Sequence, residues 1–172
     1  KVYPISVGGD HSITGGILQA IASSDSKLTG GQKAVLLHFD AHTDTFDQLD
    51  HFLGAIKSAA HWGSYLVKDG FVDASSSVQI GIRGNPRTLD WLESSYKLGY
   101  EVITKEQYDE YGVERCLEMI LQRIGNKPLY ITFDLDCLDA SVAPGVANLE
   151  PAIEGFKMPD VLSLLQVMRG KN

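Results

Sequence analysis

Short apolar runs alternate with longer amphipathic segments along this chain. The runs are rich in β-branched and aromatic residues, which predicts β-strands at 2–7, 34–39, 77–82, 100–103 and 129–133. Apolar residues three and four positions apart predict helices at 13–23, 62–68, 86–98, 113–124 and 159–169. Strands that alternate with helices favour a three-layer α/β/α fold with a mainly parallel sheet.

Carboxylate and imidazole side chains follow two of these strands. Asp40, His42 and Asp44 alternate, so in an extended chain they project to the same side. Asp134 and Asp136 also stand two positions apart. Carboxylates and imidazoles are good ligands for divalent cations. Because a buried strand that ends in paired carboxylates needs a cation to offset their charge, both clusters predict metal ligands.

A third polar cluster, Gly-Gly-Asp-His-Ser at residues 8–12, follows the first predicted strand. Ligands of parallel α/β sheets bind outside the carboxyl ends of the strands, which is where all three clusters are expected. Together the three clusters supply more ligand side chains than one ion needs, so we expect two divalent cations with bridging carboxylates. The candidate ligands are His11, Asp40, His42, Asp44, Asp134 and Asp136.

The motifs at 8–12, 40–44 (Asp-Ala-His-Thr-Asp) and 133–139 (Phe-Asp-Leu-Asp-Cys-Leu-Asp) resemble the metal-binding signatures of the ureohydrolases, in the family's order. This family includes arginases, agmatinases and guanidino-acid hydrolases, and the resemblance covers essentially the whole chain. It implies an arginase-like fold and hydrolysis of a guanidinium C–N bond, which releases urea and an amine or ammonia. It also implies Mn²⁺ as the usual metal, although the ligand types admit Ni²⁺, Co²⁺ or Zn²⁺.

The resemblance implies catalytic roles for two further side chains. Asp139 matches the family aspartate that contacts the attacking water or the departing amine. His61 is similar to the histidine of a His-Gly loop, which shuttles a proton or positions the substrate. Here Trp62 stands between His61 and Gly63, so this loop departs from the family pattern.

The loop after the last motif also departs from the family, which has a Gly pair and then a guanidinium-binding Glu. An Ala-Ile pair occupies 152–153, and Met158 stands where that Glu is expected if no gap is introduced. Glu150 and Glu154 lie nearby, and either is suited to bind a planar cation through paired hydrogen bonds. The substrate therefore stays open among agmatine, a guanidino acid and free guanidine, a choice that the loop at 45–60 is expected to shape.

Three other polar residues receive simpler interpretations. His38 lies within an apolar strand and is expected to be a core residue or to support a ligand. Arg83 is expected to be structural, because the proposed substrate is itself a cation. His51 is expected to be exposed, with a place at the substrate entrance as the alternative.

The composition says more about the cellular setting and partners of the protein than about its chemistry. The 172 residues are enough for a single catalytic domain, and the net charge of −7 argues against nucleic acids and anionic membranes as partners. Two cysteines indicate a reduced, cytoplasmic setting. Because the chain begins at Lys1 without Met and ends at Asn172 just after a helical pattern, we expect it to be incomplete at both ends, which leaves an organellar targeting segment open. The resemblance implies a homo-oligomer, either a trimer or a hexamer.

Two alternative functions remain open at this point. Another metal-dependent hydrolase, such as an amidase or a deacetylase, would use a related α/β scaffold. A non-catalytic relative would keep the metal ligands without turnover, which the altered loop after the last motif allows.

Overall fold

A parallel β-sheet forms the centre of the computed structural model, which describes residues 3–47, 56–84 and 90–169. The strand order is β3-β2-β1-β4. The strands are β1 (Val35–Phe39), β2 (Val78–Ile82), β3 (Glu101–Thr104) and β4 (Leu129–Phe133). The α-helices are α1 (Ile13–Ile21), α2 (Trp62–Lys68), α3 (Glu93–Leu98), α4 (Lys105–Ile124) and α5 (Met158–Val167).

Helices cover both faces of this sheet. Successive side chains of a strand point to opposite faces, so each strand contributes to two cores. On one face Leu37 belongs to a cluster with Ile120 of α4 and Leu164 of α5. On the other face Leu36 belongs to a cluster with Leu66 of α2. The three-layer α/β/α fold with a parallel sheet is therefore confirmed.

Most of the predicted strands are confirmed, but the first is wrong. The structure forms β1 to β4 within a residue of the strands predicted at 34–39, 77–82, 100–103 and 129–133. Residues 3–7 form no strand, and Tyr3, Ile5 and Val7 are 61%, 90% and 95% exposed. Their alternation has the period of a strand, but no strand of the described sheet pairs with this segment.

The predicted helices are confirmed at 13–23, 62–68 and 159–169, with ends that differ by no more than two residues. The helix predicted at 86–98 is observed only as α3, and residues 85–89 lie outside the described residues. Among the described residues, no helix has the length and apolar character needed to cross a bilayer.

The helix predicted at 113–124 is the second part of a longer element, α4. Thr104 caps its start: the Thr104 hydroxyl accepts from the Gln107 amide at 3.2 Å, and the Gln107 side chain accepts from the Thr104 amide at 3.0 Å. Gly112 has a φ of 78°, which interrupts the helical geometry. The apolar periodicity is continuous only beyond this glycine, so the sequence pattern predicted only the second part.

An ion pair links the segments that precede β2 and β4. Lys127 Nζ lies 2.7 Å from Asp73 Oδ2 and 2.7 Å from Ser76 Oγ. Burial raises the pKa of Asp73, but hydrogen bonds from Lys127, Ser75 and Ser76 lower it to about 2. Because a depressed pKa stabilises the folded state above the ordinary pKa, this contribution is present at neutral pH and is lost in acid.

We expect Asp73→Asn to lower the free energy of unfolding at pH 7 by about 1 kcal/mol, a value reduced for the solvent exposure of the pair. The difference in unfolding free energy between wild type and variant should shrink as the pH falls from about 4 towards about 2, where the wild-type carboxylate becomes protonated. Urea denaturation at a series of pH values measures it. Asp69→Asn, which affects a more exposed pair with Lys57 at 3.5 Å, is the matched control. A deficit that is constant across this pH range would contradict the assignment.

Candidate metal centre

The carboxyl ends of β1 and β4 lie side by side and bring two of the acidic motifs together. Phe39 is paired with Phe133 in the parallel register, so Asp40 and Asp134 leave the sheet as neighbours. The Asp134 amide donates to the Phe39 carbonyl at 2.9 Å, which continues the pairing by one residue. This edge is where ligands of parallel α/β sheets bind.

A first group of ligand atoms surrounds one nitrogen of His11. His11 Nδ1 lies 2.9 Å from Asp40 Oδ2, 3.1 Å from Asp44 Oδ2 and 3.2 Å from Asp134 Oδ2. Nε2 of the same ring lies 2.7 Å from Thr132 Oγ1, which holds the imidazole in place. Among the described residues the buried Nδ1 atom makes no hydrogen bond of acceptable geometry. A nitrogen lone pair and three carboxylate oxygens around one point form the donor set of a cation site.

A second group of ligand atoms surrounds His42. His42 Nδ1 lies 3.1 Å from Asp136 Oδ2 and 3.4 Å from Asp40 Oδ1. Its Nε2 lies 2.9 Å from Glu150 Oε1. Asp40 therefore belongs to both groups, since Oδ2 faces the first and Oδ1 faces the second. A carboxylate placed in this way is suited to bridge two cations.

Backbone amides fix the orientation of these carboxylates. Asp40 Oδ1 accepts from the His42 amide at 2.7 Å, and Asp134 Oδ1 accepts from the Asp136 amide at 3.0 Å. Asp136 Oδ1 accepts from the Ala41 amide at 3.1 Å, which connects the loops that follow β1 and β4. The backbone of the loops that carry these carboxylates therefore orients them.

Trp62 packs directly against the first group of ligand atoms. The side chain is fully buried, and its Nε1 donates to Asp44 Oδ2 at 2.7 Å. The Trp62 ring centroid lies 4.8 Å from that of His11 and 4.8 Å from that of His38. The residue that interrupts the His-Gly motif is therefore part of the wall of the site.

The site concentrates negative charge in a buried place. Burial and the charge of Asp40 raise the pKa of Asp44. Burial raises the pKa of Asp136 to about 7, against a hydrogen bond from His42. Burial lowers the pKa of His11, but the surrounding carboxylates outweigh it and raise that pKa to about 12. Among the described residues, no Lys or Arg pairs with the four ligand carboxylates. The residues therefore fit divalent cations in both charge and donor type.

The two candidate catalytic residues lie in well-defined surroundings outside these ligand groups. Asp139 accepts from the Ser141 amide at 3.0 Å and from the Gly155 amide at 3.1 Å, and its Oδ1 pairs with Lys157 at 3.0 Å. Hydrogen bonds from Ser141 and Lys157 lower the pKa of Asp139, so it is ionised at neutral pH. His61 is buried at the start of α2, with Nδ1 2.8 Å from Ser58 Oγ.

The two glutamates considered for the substrate differ in their surroundings. Glu150 is only 18% exposed, and its Oε1 contacts the candidate ligand His42. Glu154 is 67% exposed and pairs with Lys157 at 2.8 Å. The structure therefore brings Glu150 to the ligand groups, whereas Glu154 faces solvent.

Arg83 binds the loops around the site, in agreement with the structural role expected for it. Its guanidinium donates to the carbonyls of Asp136 at 2.8 Å, Leu138 at 3.0 Å and Cys137 at 3.2 Å. Nε donates to the Ile153 carbonyl at 3.2 Å. One buried cation thus holds the loop after β4 against the segment that follows Glu150.

Sequence patterns pointed to the ligands but missed several side chains that support them. Trp62 was noticed only as an interruption of a motif. Gln79 and Thr132 are polar residues within apolar strands, a signal that could have marked them as supports for the site. His51 and residues 48–55 of the loop at 45–60 lie outside the described residues.

Comparison with known proteins identifies the family. The model of the Arginase family matches residues 1–172. The chain belongs to the arginase family. Agmatinase of Neisseria meningitidis serogroup C is 41% identical over 165 residues, which are 94% of this chain and 46% of that protein. Human mitochondrial guanidino acid hydrolase is 35% identical over 172 residues, which are 98% of this chain and 45% of that protein.

The chain is also similar to solved structures. Proclavaminate amidino hydrolase from Streptomyces clavuligerus superposes with a TM-score of 0.78 and 33% identity, covering 92% of this chain and 49% of that one. This arginase-family chain therefore spans about half the length of the relatives that it matches.

We expect Arg83→Leu to lower the free energy of unfolding by about 3 kcal/mol, because several buried carbonyls lose a charged donor. Arg83→Lys should recover only part of that loss, since an ammonium group lacks the planar fork of the guanidinium. Urea denaturation measures both variants. Arg115→Leu, whose partner Glu118 lies at 3.0 Å on the surface, is the matched control. If Arg83→Leu lowered the free energy of unfolding no more than the control does, this would contradict the structural role of Arg83.

Proposed function

We propose that the complete protein is an agmatinase-like, metal-dependent ureohydrolase that uses two divalent cations. It hydrolyses the guanidinium C–N bond of a guanidino compound and releases urea and an amine or ammonia. The observation that carries this proposal is the pair of ligand groups that share Asp40. Membership of the arginase family supports the reaction class. The agmatinase and guanidino acid hydrolase relatives support a guanidino substrate.

The proposed chemistry assigns a task to each residue near the site. When bound, a pair of divalent cations lowers the pKa of a water towards neutrality and so supplies a nucleophile. Asp139, which is ionised at neutral pH, accepts a hydrogen bond from that water or from the departing amine. His61 carries a proton to the amine or positions the substrate. Glu150, whose Oε1 lies 2.9 Å from His42 Nε2, pairs with the guanidinium group.

Several finer assignments belong to the same proposal. Mn²⁺ is the proposed metal and Ni²⁺ the alternative. We also propose that residues 1–172 belong to a single catalytic domain. The protein is proposed to be cytoplasmic and to form a trimer or a hexamer, as the family resemblance implies.

A urea-release assay on the complete protein tests the reaction and identifies the substrate. Protein loaded separately with Mn²⁺ and Ni²⁺ is given arginine, agmatine, 4-guanidinobutyrate, 3-guanidinopropionate and guanidine. We expect urea from one member of this panel. Asp136→Asn should lower kcat/KM at least about 1,000-fold, because a ligand to the catalytic cation is lost.

Asp69→Asn is the control for this assay, since it removes a carboxylate that pairs with Lys57 on the surface. It should leave urea release unchanged. A protein that binds two metal ions but releases no urea from any substrate would contradict the proposal. It would instead favour a different metal-dependent hydrolase or a non-catalytic relative.

Paired variants separate the two candidate glutamates. We expect Glu150→Gln to raise KM about tenfold or more, because a partly desolvated charged hydrogen bond to the guanidinium is weakened. Glu154→Gln should change KM by less than about twofold, since exposed ion pairs contribute little. Steady-state kinetics on the active substrate measures both. Equal KM values for the two variants would contradict the assignment of Glu150.

A further inference from the structure

A row of buried polar side chains crosses the sheet, and two of its members lie two residues before candidate ligands. His38 of β1 is paired in register with Gln79 of β2 and with Thr132 of β4. His38 and Gln79 are fully buried, and Thr132 is 4% exposed. Burying polar groups in a sheet core is unfavourable unless they are hydrogen-bonded, so this row needs a specific reason.

The Gln79 amide fixes the direction of the hydrogen bonds in this row. Gln79 Nε2 lies 2.6 Å from the Thr43 carbonyl oxygen, which can only accept, so the atom on that side must be the nitrogen. The same Nε2 lies 3.0 Å from His38 Nδ1 and donates its second hydrogen to it. Gln79 Oε1 is left buried without a hydrogen bond among the described residues. This orientation therefore uses both hydrogens of the amide nitrogen.

This bond determines which nitrogen of His38 carries a hydrogen. Nδ1 accepts from Gln79, so the hydrogen of the ring is on Nε2. His38 Nε2 lies 2.8 Å from Asp40 Oδ2 and donates to it. The chain of hydrogen bonds therefore runs from Gln79 through His38 to the carboxylate that both ligand groups share.

We propose that His38 is a positioning residue that holds Asp40 and is not itself a metal ligand. This inference rests on the proposed metal centre. Distance alone would also admit His38 as a ligand, because its nitrogen lies among ligand atoms of His11, Asp40 and Asp44. Coordination needs a lone pair, and the Nε2–H group has none to offer. The Trp62 ring, with its centroid 4.8 Å from that of His38, packs against the imidazole.

Two substitutions at position 38 distinguish positioning from coordination. A Gln side chain can keep an N–H group directed at Asp40, whereas Leu fills similar space without a donor. We expect His38→Leu to weaken Mn²⁺ binding about 10- to 100-fold and His38→Gln to remain within about threefold of wild type. Titration calorimetry of the metal-free complete protein with Mn²⁺ measures these affinities independently of activity.

Ser77→Ala is the matched control, because Ser77 is also fully buried and lies immediately before β2, two residues before Gln79. It removes a hydroxyl that accepts from the Leu36 amide at 2.9 Å, away from the ligands. Its Mn²⁺ affinity should equal that of wild type. A His38→Leu affinity no weaker than that of this control would overturn the inference, and so would an equal loss in His38→Gln and His38→Leu. A wild-type protein that binds no Mn²⁺ would contradict the metal centre of the proposed function itself.

A measurement without substitutions covers the case in which His38→Leu does not fold. Nitrogen-15 NMR of histidine-labelled, metal-free wild-type protein reports the hydrogen on each ring nitrogen. We expect Nδ1 of His38 to have the chemical shift of an unprotonated nitrogen and Nε2 to have that of a protonated nitrogen. The reverse assignment would overturn the proposed role of His38.

Discussion

The candidate site depends on one carboxylate that two groups of ligand atoms share. Asp40 is 1% exposed, and its two oxygens face His11 on one side and His42 on the other. Interactions with His11, His38 and His42 outweigh burial and hold the pKa of Asp40 well below its usual range. A buried anion with this low pKa stays charged, and cations are suited to offset its repulsion with the further carboxylates that gather around it.

The surrounding backbone is shaped to bring these groups close together. Asp44 adopts a φ of 51°, a left-handed conformation that is uncommon outside glycine and occurs often at functional sites. Gly84 follows β2, where a Cβ atom would lie 2.4 Å from His42 Cδ2. The missing side chain at Gly84 lets the segment after β2 approach the loop after β1 closely. The sheet therefore supplies rigid supports, and a few unusual backbone positions complete the site.

The sequence predicted the parts of the fold that depend on local periodicity. Apolar runs predicted β1 to β4, and the alternation in 40–44 marked three of the side chains that meet at the candidate site. The segment is not fully extended, since Asp44 has a φ of 51°, and His42 faces the second ligand group whereas Asp44 faces the first. The pattern failed at 3–7, where alternation alone cannot supply a strand neighbour. It also failed at Trp62 and Gln79, because their roles depend on contacts with distant residues. Trp62 Nε1 reaches Asp44 across 18 positions of the chain, and Gln79 contacts His38 across 41.

Electron paramagnetic resonance of the complete protein loaded with Mn²⁺ tests the shared carboxylate most directly. If Asp40 bridged two manganese ions, it would hold them close enough for their electron spins to couple. The account predicts a spin-coupled signal from two ions per chain, which Asp40→Asn converts into the signal of isolated ions or abolishes. A single uncoupled ion per wild-type chain would contradict the account.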